Sequence, residues 1–152
     1  MNNQFLYETE VEWTGGRRGL LAARHLPIID VAPPPEFQGD DQTWTPEHLF
    51  VASVNSCYMA TFAALAEMSK LEFVSFASKA VGRLEKLEGQ GYRVTEIILK
   101  PKLVVRFEHD LERAERILEK AERNCFISNS IKSEVRLSPE ITAEKALATW
   151  PR

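Results

Sequence analysis

"TPEHLFVASVNSCYMATFAALAEM", Thr45 to Met68, is the stretch whose reading decides the fold. Thr45 is a favoured N-cap. Pro46 suits the first helical position, where a backbone N–H would go unpaired in any case. From Leu49 to Ala66 eighteen residues pass without one charged side chain. The stretch therefore predicts a long helix from Pro46 to Ser69 or Lys70. A helix that is apolar all round is either buried in a core or spans a membrane. A span needs ~20 predominantly apolar residues. This run is interrupted by Ser53, Asn55, Ser56 and Thr61 and flanked by acids, so the buried helix is preferred over the membrane. Cys57, one of two cysteines in the chain, lies in its middle, and Glu47 stands at its mouth.

Working outward, Phe5, Tyr7, Val11 and Trp13 alternate with Glu8, Glu10 and Glu12, the period of a half-buried strand. "TGGRRG" is a turn carrying Arg17 and Arg18 at its tip. "LLAARHLPIIDV" reads as a second strand, broken at Pro27 and pairing with the first. "APPPEFQGDDQTW" is an irregular loop, because three successive prolines remove backbone donors. Beyond the helix, "FVSFASKAVGRLEKLEG" is a strand and "EGQGY" a hairpin turn. "YRVTEIILKPKLVVRFE" is a strand with Ile97, Leu99, Leu103, Val105 and Phe107 on one face and Lys100, Lys102 and Arg106 on the other. Pro101 cannot donate to a ladder, so it predicts an edge or a bulge there. Asp110 caps a second helix, "LERAERILEKAERNC", with Leu111, Ala114, Ile117, Leu118 and Ala121 as its apolar stripe. "FISNSIKS" is a turn or short helix, and "EVRLSPEITAE" a last strand. Strands, long helix, strands, helix, strand is the order of an α+β fold with antiparallel sheet, and nothing divides residues 1–152 into more than one domain.

A chain of 152 residues can bury a core of its own. Its formal net charge of -3 and mixed charge pattern argue against a partner held by a basic field, whether nucleic acid or anionic membrane. "MNNQFLYETEVEW" has neither the basic nor the apolar region of a signal peptide, which points to the cytoplasm, where thiols stay reduced. Two cysteines are too few for a disulfide scaffold. His25, His48 and His109 are dispersed, so no metal site is expected.

Cys57 and Cys125 each read as a small buried hydrophobe as readily as a reactive thiol. The reactive reading requires an activated thiolate, a nearby cation or helix terminus, and a second thiol to capture a sulfenic acid. Glu47 alone is explained by the preference of acids for the first helical turn, and Arg17 alone by a solvated turn.

Three motifs in chain order resemble the osmotically inducible protein and organic hydroperoxide resistance family, OsmC/Ohr. Pro46, Glu47, Leu49 and Phe50 are followed by a cysteine ten positions after the glutamate, Cys57. Cys125 is followed by Ser128 and Asn129. "GGRRG" is similar to the first turn of the Ohr-type members. Where many members carry proline after the second cysteine, this chain has Phe126. The resemblance implies an intertwined homodimer and a peroxidatic Cys57 resolved by Cys125. It also implies that Arg17, or Arg18 in its place, stabilises thiolate and peroxide and that Glu47 positions the arginine. The chain would need no cofactor, taking electrons from an external dithiol of lipoyl or similar type.

Helix geometry adds a constraint. Ten residues along one continuous helix span ~15 Å, farther than a glutamate reaches. Either the helix breaks between Glu47 and Cys57, or Glu47 serves the cysteine of a second copy. The function expected is thiol-dependent reduction of hydroperoxides, organic ones given the apolar helix. The competing readings are a non-catalytic module that binds a hydrophobic small molecule and a structural partner domain with inert thiols.

Overall fold

The computed structural model describes residues 3–144, and the tail beyond Glu144 lies outside the described residues. The chain divides into two compact units, residues 1–50 and 51–152.

In the first unit β1 (Glu10–Gly15), β2 (Arg18–Ala22) and β3 (Ile29–Val31) form an antiparallel three-stranded sheet in that order. The first strand starts later than its alternation predicts. Pairing begins at Glu10 opposite Ala22, so Phe5, Leu6 and Tyr7 have no partner strand among the described residues and are exposed. Val11 and Trp13 are exposed as well, so β1 is not the half-buried strand expected. The expected second strand is two strands, parted by a reversal in which His25 takes a left-handed φ of 66°. The β1–β2 turn places Gly16 at φ 56°, a conformation glycine adopts without steric cost.

The proline-rich loop is not wholly irregular. Pro35–Phe37 makes one 3-10 turn. The chain then closes back on itself, with the N–H of Gly39 on the carbonyl of Pro34 at 3.0 Å and that of Asp40 on Pro33 at 2.9 Å. A β-carbon on Gly39 would lie 1.5 Å from the Pro33 oxygen, so only glycine fits this closure.

Helix α1 runs unbroken over Pro46–Met68. Its start is as the sequence reads: the Thr45 hydroxyl accepts the N–H of His48 at 3.0 Å, an N-cap to N3 bond. Its end is a Schellman motif, with the N–H of Leu71 on Ala66 at 2.9 Å and that of Lys70 on Glu67 at 3.1 Å. Lys70 takes the left-handed position at φ 55° that glycine usually fills. One stripe of α1, Val54, Tyr58, Phe62 and Ala66, is buried at a spacing of four. The other faces are part-buried or open in the single chain, Met59 and Met68 among them, so the helix is not enclosed on all sides as its composition suggests. By length and composition α1 is apolar enough to cross a bilayer, a test that core helices of soluble proteins also pass.

In the second unit β4 (Phe73–Leu87) and β5 (Gly91–Val105) form a long antiparallel hairpin, paired from Phe73 opposite Val105 to Leu87 opposite Gly91 with register shifts between Phe73 and Ser75 and between Arg83 and Leu84. One face of β5 carries the buried Ile97, Leu99, Leu103 and Val105, while Lys100, Lys102 and Arg106 lie exposed, as the alternation predicts. Helix α2 (Leu111–Arg123) contributes Ala114, Leu118 and Ala121 to this core. The Tyr58 hydroxyl reaches the Leu118 carbonyl at 3.3 Å, tying α1 to α2. Asp110 stands at the N-cap of α2 but caps nothing; its carboxylate is drawn instead to Arg113, 3.0 Å from Nη2.

Two expectations for the sheet are corrected. The last strand is two, β6 (Glu134–Leu137) and β7 (Glu140–Ala143), broken at Ser138–Pro139, and both lie parallel to β5, which makes the sheet mixed. β5 is therefore central, not an edge. Pro101 is tolerated because β6 pairs with Glu96 to Leu99 and β7 with Lys102 to Val105. The residue without an N–H sits in the gap between the two ladders.

Candidate active site

Cys57 lies in the middle of α1, and Cys125 two residues past the end of α2. Both are free thiols, Cys57 part-exposed and Cys125 fully buried. Sixty-eight residues apart in sequence, they lie close enough for each to perturb the other's ionisation. The Cys125 sulfur also faces the Val54 carbonyl at 3.9 Å, a weak S–H···O contact.

The surroundings treat the two thiols differently. Burial alone pushes Cys57 up, but it is outweighed by the Ile127 N–H, the Cys125 thiol, the Phe126 N–H and the Thr61 hydroxyl. Together they hold Cys57 below the ordinary thiol value. Burial raises Cys125, the Ser128 hydroxyl and N–H draw it back, and the neighbouring Cys57 raises it again, so that it ends above the ordinary value. Cys57 is thus the more readily ionised thiol and the one reagents reach, and Cys125 is its buried, less acidic neighbour, whose S–H faces the Val54 carbonyl.

These flanking groups went unread in the sequence. Thr61 stands one helical turn after Cys57, a spacing that places it on the same face, and its hydroxyl donates to the Cys57 carbonyl at 2.8 Å. The amides of Phe126 and Ile127 carry no side-chain signature at all. Next to Cys57 in sequence, burial and the charge of Glu122 push the Tyr58 phenol up.

Arg17, Arg18 and Glu47 belong to the first unit. Arg18 is ion-paired with Asp40, whose carboxyl is held below its usual value by the Gln42 N–H and then by Arg18. Arg17 Nη1 donates to the Phe37 carbonyl at 2.9 Å and meets no carboxylate there. Of the two, Arg17 keeps the less compensated charge. Both arginines line an apolar hollow of about 420 Å³ with Val11, Trp13, Val31 and Pro46. Glu47 has one carboxylate oxygen, Oε1, buried with no hydrogen-bond partner among the described residues. His48 binds the Thr45 hydroxyl through Nδ1 at 2.8 Å. Among the described residues no three His, Cys, Asp or Glu side chains converge as metal ligands would.

The sequence model of the OsmC-like protein family matches residues 39–140, which include Glu47, Cys57 and Cys125 but not Arg17. The chain is similar to YmaD of Bacillus subtilis (strain 168), an uncharacterized protein. The two are 26% identical over 140 residues, covering 89% of this chain and 92% of that protein. An OsmC-like protein of unknown function from Vibrio cholerae has the same fold at a TM-score of 0.82, with 24% identity over 90% of this chain and 99% of that one. An organic hydroperoxide resistance protein from Elizabethkingia anophelis aligns at a TM-score of 0.75, with 20% identity over 95% of this chain and 100% of that one. At these identities the two solved structures speak for the fold alone.

Proposed function

The chain belongs to the OsmC-like protein family, and from that membership we propose that it reduces organic hydroperoxides through Cys57 and Cys125. The observation that carries this reading is the nearness of two unequal thiols, Cys57 part-exposed and held below the ordinary thiol value, Cys125 buried and held above it. The Cys57 thiolate attacks the distal peroxide oxygen. The O–O bond breaks, an alcohol leaves with one proton, and Cys57 becomes a sulfenic acid. The Cys125 sulfur then displaces water from it and the S–S bond forms. An external dithiol, of lipoyl or similar type, reduces the disulfide and restores both thiols. The sum is hydroperoxide plus dithiol giving alcohol, water and a disulfide, with no cofactor bound by the chain. Such a cycle suits the reducing cytoplasm.

Arg17 is the cation proposed to meet the peroxide oxygens, since it lacks the carboxylate that engages Arg18. Glu47 is proposed to position it, because a buried carboxylate oxygen calls for a donor. On an unbroken helix Glu47 and Cys57 are ~15 Å apart along the axis, so Glu47 acts at a thiol of a second copy. A homodimer with two composite sites follows, and it would cover the open faces of α1.

Dihydrolipoamide with catalytic protein should consume cumene hydroperoxide well above the rate of the dithiol alone. Peroxide that persists at the background rate would count against the reading. The dimer is tested by co-folding Glu47→Ala chains with Cys57→Ser chains. Mixed dimers carry one intact and one doubly damaged site, so activity is partly regained over either variant alone. A monomer by light scattering defeats the arrangement in trans while leaving the thiol chemistry open. The apolar hollow beside Arg17 favours a second reading, uptake of a hydrophobic small molecule without chemistry. Both thiols surviving excess peroxide would select it.

A further inference from the structure

We propose that the hollow beside the break between β6 and β7 is an anion site, in which Lys79, Lys100 and Lys102 receive a phosphate or diphosphate group. The pairing of the β4–β5 hairpin sets Lys79 directly opposite Lys100, and Ala77 opposite Lys102. Side chains alternate along a strand, so Lys100 and Lys102 share one face, and Lys79 shares it with them. All three are exposed. Residues directly opposite in an antiparallel pair hold their β-carbons ~4.5–5.5 Å apart, and like charges there are destabilising. Among the described residues no carboxylate pairs with Lys79 or Lys100. Lys102 has Glu140 at 3.9 Å, a loose pair with both side chains open to solvent. The register thus gathers three positive charges on one patch of a chain whose net charge is -3.

The hollow has the same origin as the split in the end of the chain. Pro101 is fully buried and has no N–H, and β6 and β7 part beside it. The space there, about 680 Å³, is lined by the three lysines together with Pro101, Ser138 and Glu140. Ser138 is fixed by its N–H on the Leu99 carbonyl at 2.8 Å. Its exposed hydroxyl is left to donate to a ligand. Ammonium groups bind phosphate as point charges and need no planar fork, and three around one hollow match a group of two or more negative charges. The rest of the lining is small, Ala77 and Pro139 among it, and offers no aromatic ring on which a base could stack. That favours the phosphate group of a small molecule over a strand of nucleic acid. Glu140 is the one carboxylate in the lining and works against an anion, so its removal has a defined sign. The site uses neither cysteine and neither Arg17 nor Glu47, so it stands or falls apart from the peroxidase reading.

The test is isothermal titration of the full chain with pyrophosphate at constant ionic strength. The parent should saturate. Lys79→Met and Lys100→Met should each weaken binding about tenfold, the effect of losing one bond to a charged group. Glu140→Gln should tighten it. Lys120→Met makes the same charge change on the exposed side of α2 and should leave it unaltered. Without ligand, Lys79→Glu sets opposite charges face to face and should melt above the parent. A parent that does not saturate with millimolar pyrophosphate overturns the site, as does a Lys120→Met chain weakened as far as Lys100→Met. A Glu140→Gln chain that binds more weakly, or a Lys79→Glu chain that melts below the parent, would mean that these residues serve the fold, and overturns it too. Phosphatidylcholine vesicles containing phosphatidate separate the sources of the group. Sedimentation with them that pyrophosphate reverses assigns the site to a lipid headgroup, and a chain that stays in solution while binding pyrophosphate assigns it to a soluble phosphorylated molecule.

Discussion

One equivalent of cumene hydroperoxide is expected to remove both free thiols of each chain and to leave one intrachain disulfide between Cys57 and Cys125. The expectation follows from the nearness of the two thiols and from the opposite directions in which their surroundings shift them. Cys57, held below the ordinary thiol value and part-exposed, meets the peroxide first. Cys125, buried and held above it, waits as a thiol beside the sulfenic acid. The variants separate the roles. Cys57→Ser should abolish turnover, because a serine hydroxyl does not ionise in this range. Cys125→Ser should let the first step proceed and strand Cys57 as a sulfenic acid, trapped by dimedone or carried on to the sulfinic state by excess peroxide. Mass spectrometry showing two intact thiols after excess hydroperoxide would end the peroxidase reading. A disulfide that joins two chains would overturn the pairing within one chain.

Phe62→Ala should cost about 3–5 kcal/mol of stability, the usual price of emptying a buried aromatic site. Phe62 is 1% exposed. Its ring stacks on Phe76 with centroids 4.8 Å apart and meets Phe73 edge-on at 5.2 Å. The three rings fasten α1 to β4, and a lost ring leaves a cavity that two strand residues cannot close without moving the hairpin. Against a total stability of ~5–15 kcal/mol, the loss is a large fraction. At ~2–4 °C per kcal/mol for a chain near this length, melting should fall by roughly 10 °C or more. Glu88→Ala, in the exposed β4–β5 turn and away from α1, is the control and should scarcely move the transition. Equal shifts in the two variants would mean that the aromatic cluster does not hold the helix.

What could be read from the sequence was what side chains decide locally. Thr45 and Pro46 fix the start of α1 by capping chemistry, and the helix begins there. The stripe of α2 and the alternation of β5 follow periods that burial enforces, and both are as read, save that Leu111 is only part-buried and that Phe107, expected on the apolar face of β5, lies exposed beyond the strand's end. What could not be read depends on partners distant in sequence. Pro101 correctly signals a missing ladder bond, but the alternation does not say that β6 and β7 would leave a gap for it in a central strand. The apolar residues before Glu10 have the pattern of a strand and, among the described residues, no strand to pair with. At the candidate site the two cysteines were legible as residue types. Their nearness was not, because it depends on how α1 packs against the turn after α2. The amides of Phe126 and Ile127 were invisible for a plainer reason, since every residue except proline has one.

The break beside Pro101 divides one side of β5 into two docking stations for the end of the chain, each four residues long. Short ladders that share no hydrogen bond need not open together. Amide exchange across Glu134–Leu137 and Glu140–Ala143 should then report two opening free energies instead of one. The sheet would come apart from its parallel side in two steps, with Ser138 and Pro139 as the seam between them.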